Sequence, residues 1–544
     1  MRFGLYFHTL RHLKLKQLLF QVFRRIYRQK ANFNVETVVM RPISERFINA
    51  IDKNVSLVDV KTFKFYGEEG DLHKIGWDGS QKEKLWRYNQ HYFDDLNGRR
   101  SLKRYNWHNQ ILSDWLLMNP PAEGIGWESY PISLRIVNWI KWDLADGQLS
   151  EGCRKSLYSQ ALMLEKNIEY HILGNHLFAN AKALIFAGCY FDGSDSERWL
   201  NKAFKIIIKE LKIQVLNDGG NYELSPMYHC IFLEDVLDLL NILGAYKPSG
   251  SYKALDALGR VVPNMLSWMK EMTFADGGVS CFNDSATNIA SSPADIVKYA
   301  NRLGIKSLDY PIQKGVYCQH LVDSGYIVII RNKLKMVLDV ARLGPDHLLA
   351  HAHADNLAFE MAIEDQRIFV NSGTSCYGGS DRRYFERSTR AHNSVEVNGC
   401  SSSEVWSSFR VARRAYPVEL KIDESANNLR VKCSHTGYKR LVSSPVHTRY
   451  WLVDQEKIVI KDKVTGIIDS AVSRFIMHAD ITINKVDAQT FVLVAPNNIV
   501  LTFRVICGTV KVVDWQYTTT FGFLTDTSCI EINLVDGECS VEII

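Results

Sequence analysis

The sequence predicts an α+β protein in two main parts, a helical half followed by an antiparallel β-sheet sandwich. Three observations predict it. The chain is 544 residues long, more than one ordinary hydrophobic core organises. Up to about Pro311–Gly315 its apolar residues recur at helical intervals. After Gly315 they recur at every second position, with polar turns between the runs. The expected divisions are residues 1–85 as a basic helix and lead-in, 86–315 as the helical domain, and 316–544 as the β domain.

The first element is a basic amphipathic helix. Met1 to Lys30 carries Arg2, Arg11, Lys14, Lys16, Arg24, Arg25, Arg28 and Lys30 and no acidic residue. Leu10, Leu13, Leu18, Val22, Phe23 and Ile26 recur at roughly helical spacing, so this segment either docks on the body or touches an anionic membrane surface. The apolar run Leu18 to Phe23 is too short for a signal peptide, no small-residue cleavage site follows, and no run reaches transmembrane length. A cytoplasmic location is expected. The eleven cysteines are scattered without a CxxC pair, which argues against a disulfide framework or a thiolate zinc site and fits a reducing compartment.

Among the helices, Glu128 to Trp142 has apolar residues at helical intervals, with Pro131 suited to a first turn. Leu177 to Phe186 follows Asn175-His176, and Ile231 to Leu243 follows Tyr228-His229. Turns such as Asn217-Asp-Gly-Gly220 and Ala275-Asp-Gly-Gly278 separate such helices, as in stacked antiparallel pairs. The strands expected after Gly315 include Tyr326 to Ile330, Lys335 to Val340, Lys457 to Ile460, Phe491 to Val494 and Ile499 to Phe503. A net charge of +5 is too weak to argue for nucleic acid.

Polar motifs sit in both halves, and a junction between domains is a common place for a ligand site. His351-Ala-His353-Ala-Asp355 precedes a period-two run. On a strand its two imidazoles and its carboxylate would share a face, where protonating both rings is opposed unless a metal or an anion lies between them. His392 follows at Arg390-Ala-His392-Asn393. In the helical half, Gly174-Asn175-His176 opens a helix whose first-turn amides favour an anion. Asn221-Tyr-Glu223-Leu-Ser225-Pro226 leads into Tyr228 and His229. The loop Trp127-Glu128-Ser-Tyr130-Pro offers aromatic faces for sugars, with Arg135 one turn on.

Together with Trp86-Arg-Tyr-Asn-Gln-His91-Tyr-Phe, these motifs occur in an order that resembles the heparinase II/III family of polysaccharide lyases, from about Trp86 to at least Val411. The resemblance implies an incomplete (α/α) toroid of helix hairpins followed by the β domain. It also implies β-elimination of an acidic, uronate-containing polysaccharide. By motif position, Asn175 or His176 would neutralise the substrate carboxylate, Tyr228 would be base and/or acid, and His351 would carry a second proton or stabilise charge. Trp127, Glu128, Tyr130, Arg135, Glu223 and His229 would bind substrate. A structural zinc would fall to His353, position 371 and His392, but Asn371 offers a neutral amide where the family has a carboxylate, a weaker ligand.

The residue types suit that chemistry. Removing the proton at C5 of a uronate is opposed by the adjacent carboxylate, whose charge donors must offset. A tyrosine is a poor base at neutral pH unless a cation stabilises its phenolate. Two other readings stand beside it. One is a catalytically weak carbohydrate-binding relative used in glycan assembly. The other is a glycoside hydrolase on a similar toroid, for which Glu128, Glu223 and Asp284 are the available carboxylates.

Overall fold

The computed structural model describes residues 2–26, 35–306, 315–425 and 428–544. Helices fill the first half and antiparallel sheets the second. Two helices, α1 (Arg2–Leu10) and α2 (Leu15–Ile26), replace the single helix expected at the N-terminus, because the chain turns between Arg11 and Lys14. Both dock on the body. Trp406 donates its indole N–H to the Thr9 hydroxyl at 3.1 Å, and the Gln17 amide donates to the His347 carbonyl at 3.3 Å. The side chains of Phe23 and Ile26, together with Arg28 and Lys30, lie outside the described residues, as does Pro311.

The body of the helical half follows as α3 (Leu72–Ile75), α4 (Lys84–Tyr92), α5 (Tyr105–Met118), α6 (Ser129–Trp142), α7 (Glu151–Lys166), α8 (Gly174–Tyr190), α9 (Ser194–Gln214), α10 (Pro226–Tyr246), α11 (Tyr252–Glu271) and α12 (Pro293–Arg302). Helix α8 is apolar nearly all round because it is enclosed by α6, α9 and α10. Small residues allow that enclosure. At Gly188 a β-carbon would stand 2.6 Å from the Leu200 side chain of α9. Helix α10 starts where the sequence marks it, with Pro226 in its first turn and the Ser225 hydroxyl accepting from the Tyr228 N–H at 3.2 Å.

The β half begins with a five-stranded antiparallel sheet whose strands lie in chain order: Val316–Leu321, Tyr326–Arg331, Leu334–Asp339, Phe359–Ile363 and Gln366–Phe369. A backbone bridge from Phe369 to Met477 joins it to a four-stranded sheet. The layer so formed packs face to face on an eight-stranded sheet running from Pro417–Ser425 at one edge to Thr482–Lys485 at the other. The strand Tyr326–Arg331 is continuously apolar because both its faces are buried. Ile327 and Ile329 join Leu338, Val431 and Trp451 inside the sandwich. Tyr326 and Val328 point the other way, onto Leu224, Trp268, Phe274 and Phe282 of the helical half. That second face fixes the two halves against each other. One further helix, α13 (Asp381–Arg387), lies within the β half.

Candidate active site

A cleft of about 1180 Å³ runs between the halves. The helical side contributes Tyr88, Glu128, Tyr130, Asn175, His176, Glu223 and Tyr228, and the β side contributes His351, Tyr377, Arg382 and Phe409. At its centre the rings of Tyr228 and His351 stack with centroids 3.8 Å apart. The Tyr228 hydroxyl lies 3.2 Å from that of Tyr377. Burial first, then Tyr377 and Asp284, push the Tyr228 hydroxyl well above the usual phenol range. The free protein therefore presents a protonated phenol there.

His351 is held by two carboxylates. Its Nδ1 lies 3.0 Å from Asp284 Oδ2, and its Nε2 lies 3.4 Å from Glu223 Oε2. Asp284 also receives His353 Nε2 at 2.8 Å, Thr374 at 3.3 Å and both terminal nitrogens of Arg383. Burial opposes its charge, but the Arg383 guanidinium and the hydrogen bonds from His351, His353 and Arg383 outweigh burial and hold the carboxyl well below the usual range. An ionised Asp284 fixes the proton of His351 on Nδ1 and leaves Nε2, 3.4 Å from Glu223 Oε2, as the unprotonated nitrogen.

The expectation that His351, His353 and Asp355 lie on a strand is corrected: they occupy a loop, and the strand starts at Phe359. The loop's backbone is satisfied without a ladder, since His353 N–H goes to the Asn283 side chain and Ala354 N–H to the Arg387 carbonyl. The anion between the two imidazoles is Asp284, from the other half of the chain. Asp355 instead accepts from the Asn283 N–H at 3.0 Å.

Around the N-terminus of α8 the expected anion is also one of the chain's own. Glu223 Oε1 accepts from the Asn175 N–H at 3.2 Å, and a β-carbon at Gly174 would stand 2.7 Å from that oxygen. Burial raises the Glu223 carboxyl, against the pull of His351 and of the Asn175 N–H. The ring of His176 lies 4.2 Å from that of Tyr130, and its Nδ1 lies 3.1 Å from Glu169. Glu128 accepts from Lys84 at 3.1 Å and from the Tyr88 hydroxyl.

Three residues expected to bind substrate lie outside the cleft lining. Trp127 is buried against Trp115, with its indole N–H on the Asn119 carbonyl. Arg135 is fully buried and braces Gln160 and the carbonyls of His91 and Gly126. His229 bridges the Asn221 N–H and the Met265 carbonyl. Each is a polar group satisfied inside a packed helix cluster. Asp284 was weighed only as a hydrolase carboxylate, and its five donors leave it no free oxygen for that role. Sequence reasoning missed Tyr377 and Arg383. Arg383 sits in the run Asp381-Arg-Arg-Tyr-Phe-Glu-Arg387, which reads as a solvated face.

The zinc ligands implied by the sequence fit only in part. His353 Nδ1 and His392 Nε2 are 3.3 Å apart, close to the spacing of about 3.3 Å that two nitrogens take on a tetrahedral zinc. Burial keeps both rings neutral, pushing His353 down to about 4 and His392 to about 3. The third donor fails. The Asn371 oxygen is engaged by the Asn393 N–H, and its buried NH₂ has no partner among the described residues. Among those residues no group of three or more His, Cys, Asp or Glu is arranged to hold a metal ion.

Residues 143–303 match the family model of the heparinase II/III N-terminus and residues 315–542 that of the heparinase II/III-like C-terminal domain, together most of the chain. A heparin-sulfate lyase of Bacteroides stercoris is 25% identical over 317 residues, 55% of this chain and 44% of that protein. FtsZ-localized protein C of Caulobacter vibrioides is 24% identical over 294 residues, 53% of this chain and 47% of that protein. The chain thus spans less than half the length of these relatives. A crystal structure of heparinase III shares the fold with a TM-score of 0.73 at 17% identity, covering 94% of this chain and 87% of the other.

Proposed function

Because the chain belongs to the heparinase II/III-like family, we propose that it is a polysaccharide lyase that cleaves an acidic, uronate-containing glycan by β-elimination. The observation that carries this reading is the stack of Tyr228 on His351 in the cleft, with Asp284 fixing the tautomer of His351. His351 Nε2 takes the C5 proton. The C5 electrons form the C4–C5 double bond, the bond from C4 to its oxygen breaks, and the Tyr228 hydroxyl protonates the departing oxygen. Asn175 and His176 lie where they could offset the uronate charge. A phenol with a raised pKa favours Tyr228 as the acid over Tyr228 as the base.

Incubation with a panel of acidic polysaccharides, following absorbance of the 4,5-unsaturated product, tests the reading. Tyr228→Phe should lower turnover by about 10²-fold or more with the fold intact. Normal turnover in that variant would remove Tyr228 from the mechanism. The second reading, a non-cleaving carbohydrate binder, is supported by a weaker similarity, at a comparable identity, to FtsZ-localized protein C, which is not named as a lyase. Polymer binding without any unsaturated product would select it.

The donor set at His353, Asn371 and His392 is incomplete for zinc, so the wild-type protein should lose added zinc on dialysis against a mild chelator, and Asn371→Asp should retain it. Equal metal content in both proteins would exclude position 371 as a ligand.

No helix among the described residues is long and apolar enough to cross a membrane. Contact of α1 and α2 with an anionic membrane surface is supported by Phe3, Phe7 and Leu10 on one helix and Leu15, Leu19 and Val22 on the other. These form exposed stripes at helical spacing beside basic residues. Failure to co-sediment with phosphatidylserine vesicles would count against it.

A further inference from the structure

A second cavity, of about 760 Å³, lies between the α2 region and α9. It is separated from the cleft by one wall. Tyr170, Leu173 and His347 line the groove, while His171, Ile172 and Leu348, their chain neighbours, line the cleft. Helix α9 turns an apolar face inward, with Trp199, Ala203, Ile207 and Leu211 buried. Its opposite face carries Arg198, Lys202, Lys205 and Lys209, whose spacing of four, three and four residues makes one stripe along the groove. Lys14 and Lys16 stand on the other wall.

Positive charge is in excess in this groove. Arg198 and Lys202 reach Glu165 at 2.8 and 3.2 Å, but Lys205 and Lys209 are exposed and form no ion pair among the described residues. Of the two carboxylates lining the groove, Glu197 is paired with Arg41 at 2.7 Å, while Glu210 accepts from the neutral Gln214 amide at 2.9 Å and keeps its charge, so the basic side chains outnumber the charge available to offset them. Lys16 lies 3.8 Å over the Tyr170 ring. Burial first, then Lys209 across the groove, lower its pKa, and Glu210 opposes them. Lysines facing each other over an aromatic and aliphatic floor repel until an anion lies between them. Sugar rings suit that floor, and carboxylate or sulfate substituents suit those walls.

We propose that the groove between α2 and α9 is a second binding site for acidic polysaccharide, holding the polymer beyond the bond presented to Tyr228 and His351. This rests on the acidic-glycan reading of the cleft but not on cleavage itself. The test compares wild-type protein, the triple variant Lys202→Glu/Lys205→Glu/Lys209→Glu, and a charge-matched control, Lys421→Glu/Lys439→Glu/Lys485→Glu, on exposed β-domain sites. Binding to heparan sulfate, alginate and hyaluronan polymers is measured as a function of salt, and cleavage is followed on any polymer that is a substrate and on its tetrasaccharide.

The α9 variant should lose about tenfold or more in polymer affinity, with a shallower salt dependence, while the control changes less than about twofold. Tetrasaccharide cleavage should be unchanged in the α9 variant, and KM for the polymer should rise. Equal losses in the α9 variant and the control, or no loss in either, would overturn the proposal. So would wild-type protein that binds none of the polymers, or one that uses these lysines only on phosphatidylserine vesicles. A wild-type protein that binds polymer through α9 but yields no unsaturated product would sink the lyase reading and leave the groove standing.

Discussion

At the scale of single residues, Asp284 organises the site. Its carboxylate joins a guanidinium and two imidazoles drawn from segments about 70 to 100 positions away in the chain. Asp284→Asn would leave Arg383 buried without its counter-charge, and removing one partner of a buried pair costs about 3–5 kcal/mol. A large fall in the unfolding midpoint is expected, with the proposed elimination lost even in the folded fraction because the His351 tautomer is no longer fixed. Unchanged stability would show that Arg383 has another partner. His229 makes a different prediction. Burial lowers its pKa from 6.5 to about 4, so the unfolded chain binds a proton there that the folded chain refuses. Its contribution to stability is complete above pH 6.5 and is lost as pH falls toward 4. Relative to His229→Gln, the wild-type protein should lose stability across that window by up to about 1.4 kcal/mol per pH unit. Denaturant midpoints for both proteins at pH 7.5 and 5 measure the difference, and parallel curves would contradict it. Tyr228 and His351 were legible from the sequence because their motifs carry uncommon residues in a fixed order. Asp284 was not, since nothing local marks an aspartate whose partners all lie far away in the chain. Trp127, Arg135 and His229 misled for the converse reason: an aromatic or basic residue beside a motif looks the same whether it faces a cleft or a core.

At the scale of elements, the entry of α10 couples a helix cap to the site. The Ser225 hydroxyl accepts from Tyr228 N–H, and it also donates to the backbone carbonyl of Asp284. Ser225→Ala removes both bonds. A loss of about 1–2 kcal/mol in stability is expected, together with reduced turnover, because the cap holds Tyr228 and Asp284 in one register. If stability falls while turnover of the folded protein is untouched, the cap is structural only. The sequence signalled this entry through Ser225 and Pro226, whose roles are local. The strand expected at His351–Asp355 could not be excluded in that way. Alternating polarity records which side chains are buried, whereas a strand also needs a neighbouring backbone to pair with, and here Asn283 and Arg387 meet the amides first.

At the scale of the molecule, the two halves share the five-stranded sheet, one face in each core. Unfolding either half strips apolar surface from the other, so calorimetry should record one cooperative transition, with tryptophan fluorescence and far-ultraviolet circular dichroism following the same curve. Two well-separated transitions would refute the coupling. The succession of helices and then sheets was legible because periodicity is a property of each segment alone. The groove beside α9 was not, since its basic walls come from the chain's first residues and from a helix almost two hundred positions later.

The doubly buried sheet also limits how the site can work. A hinge that opened the cleft would wet Trp268, Phe274 and Phe282, at roughly 1.5–3 kcal/mol for each large side chain. On the proposed lyase reading, Tyr228 and His351 should therefore keep their spacing through the cycle, with the polymer adapting to them. A cleft that does not widen should, on that reading, admit an unbranched glycan and turn away a branched one, so that selection would begin as sieving before any charge is read.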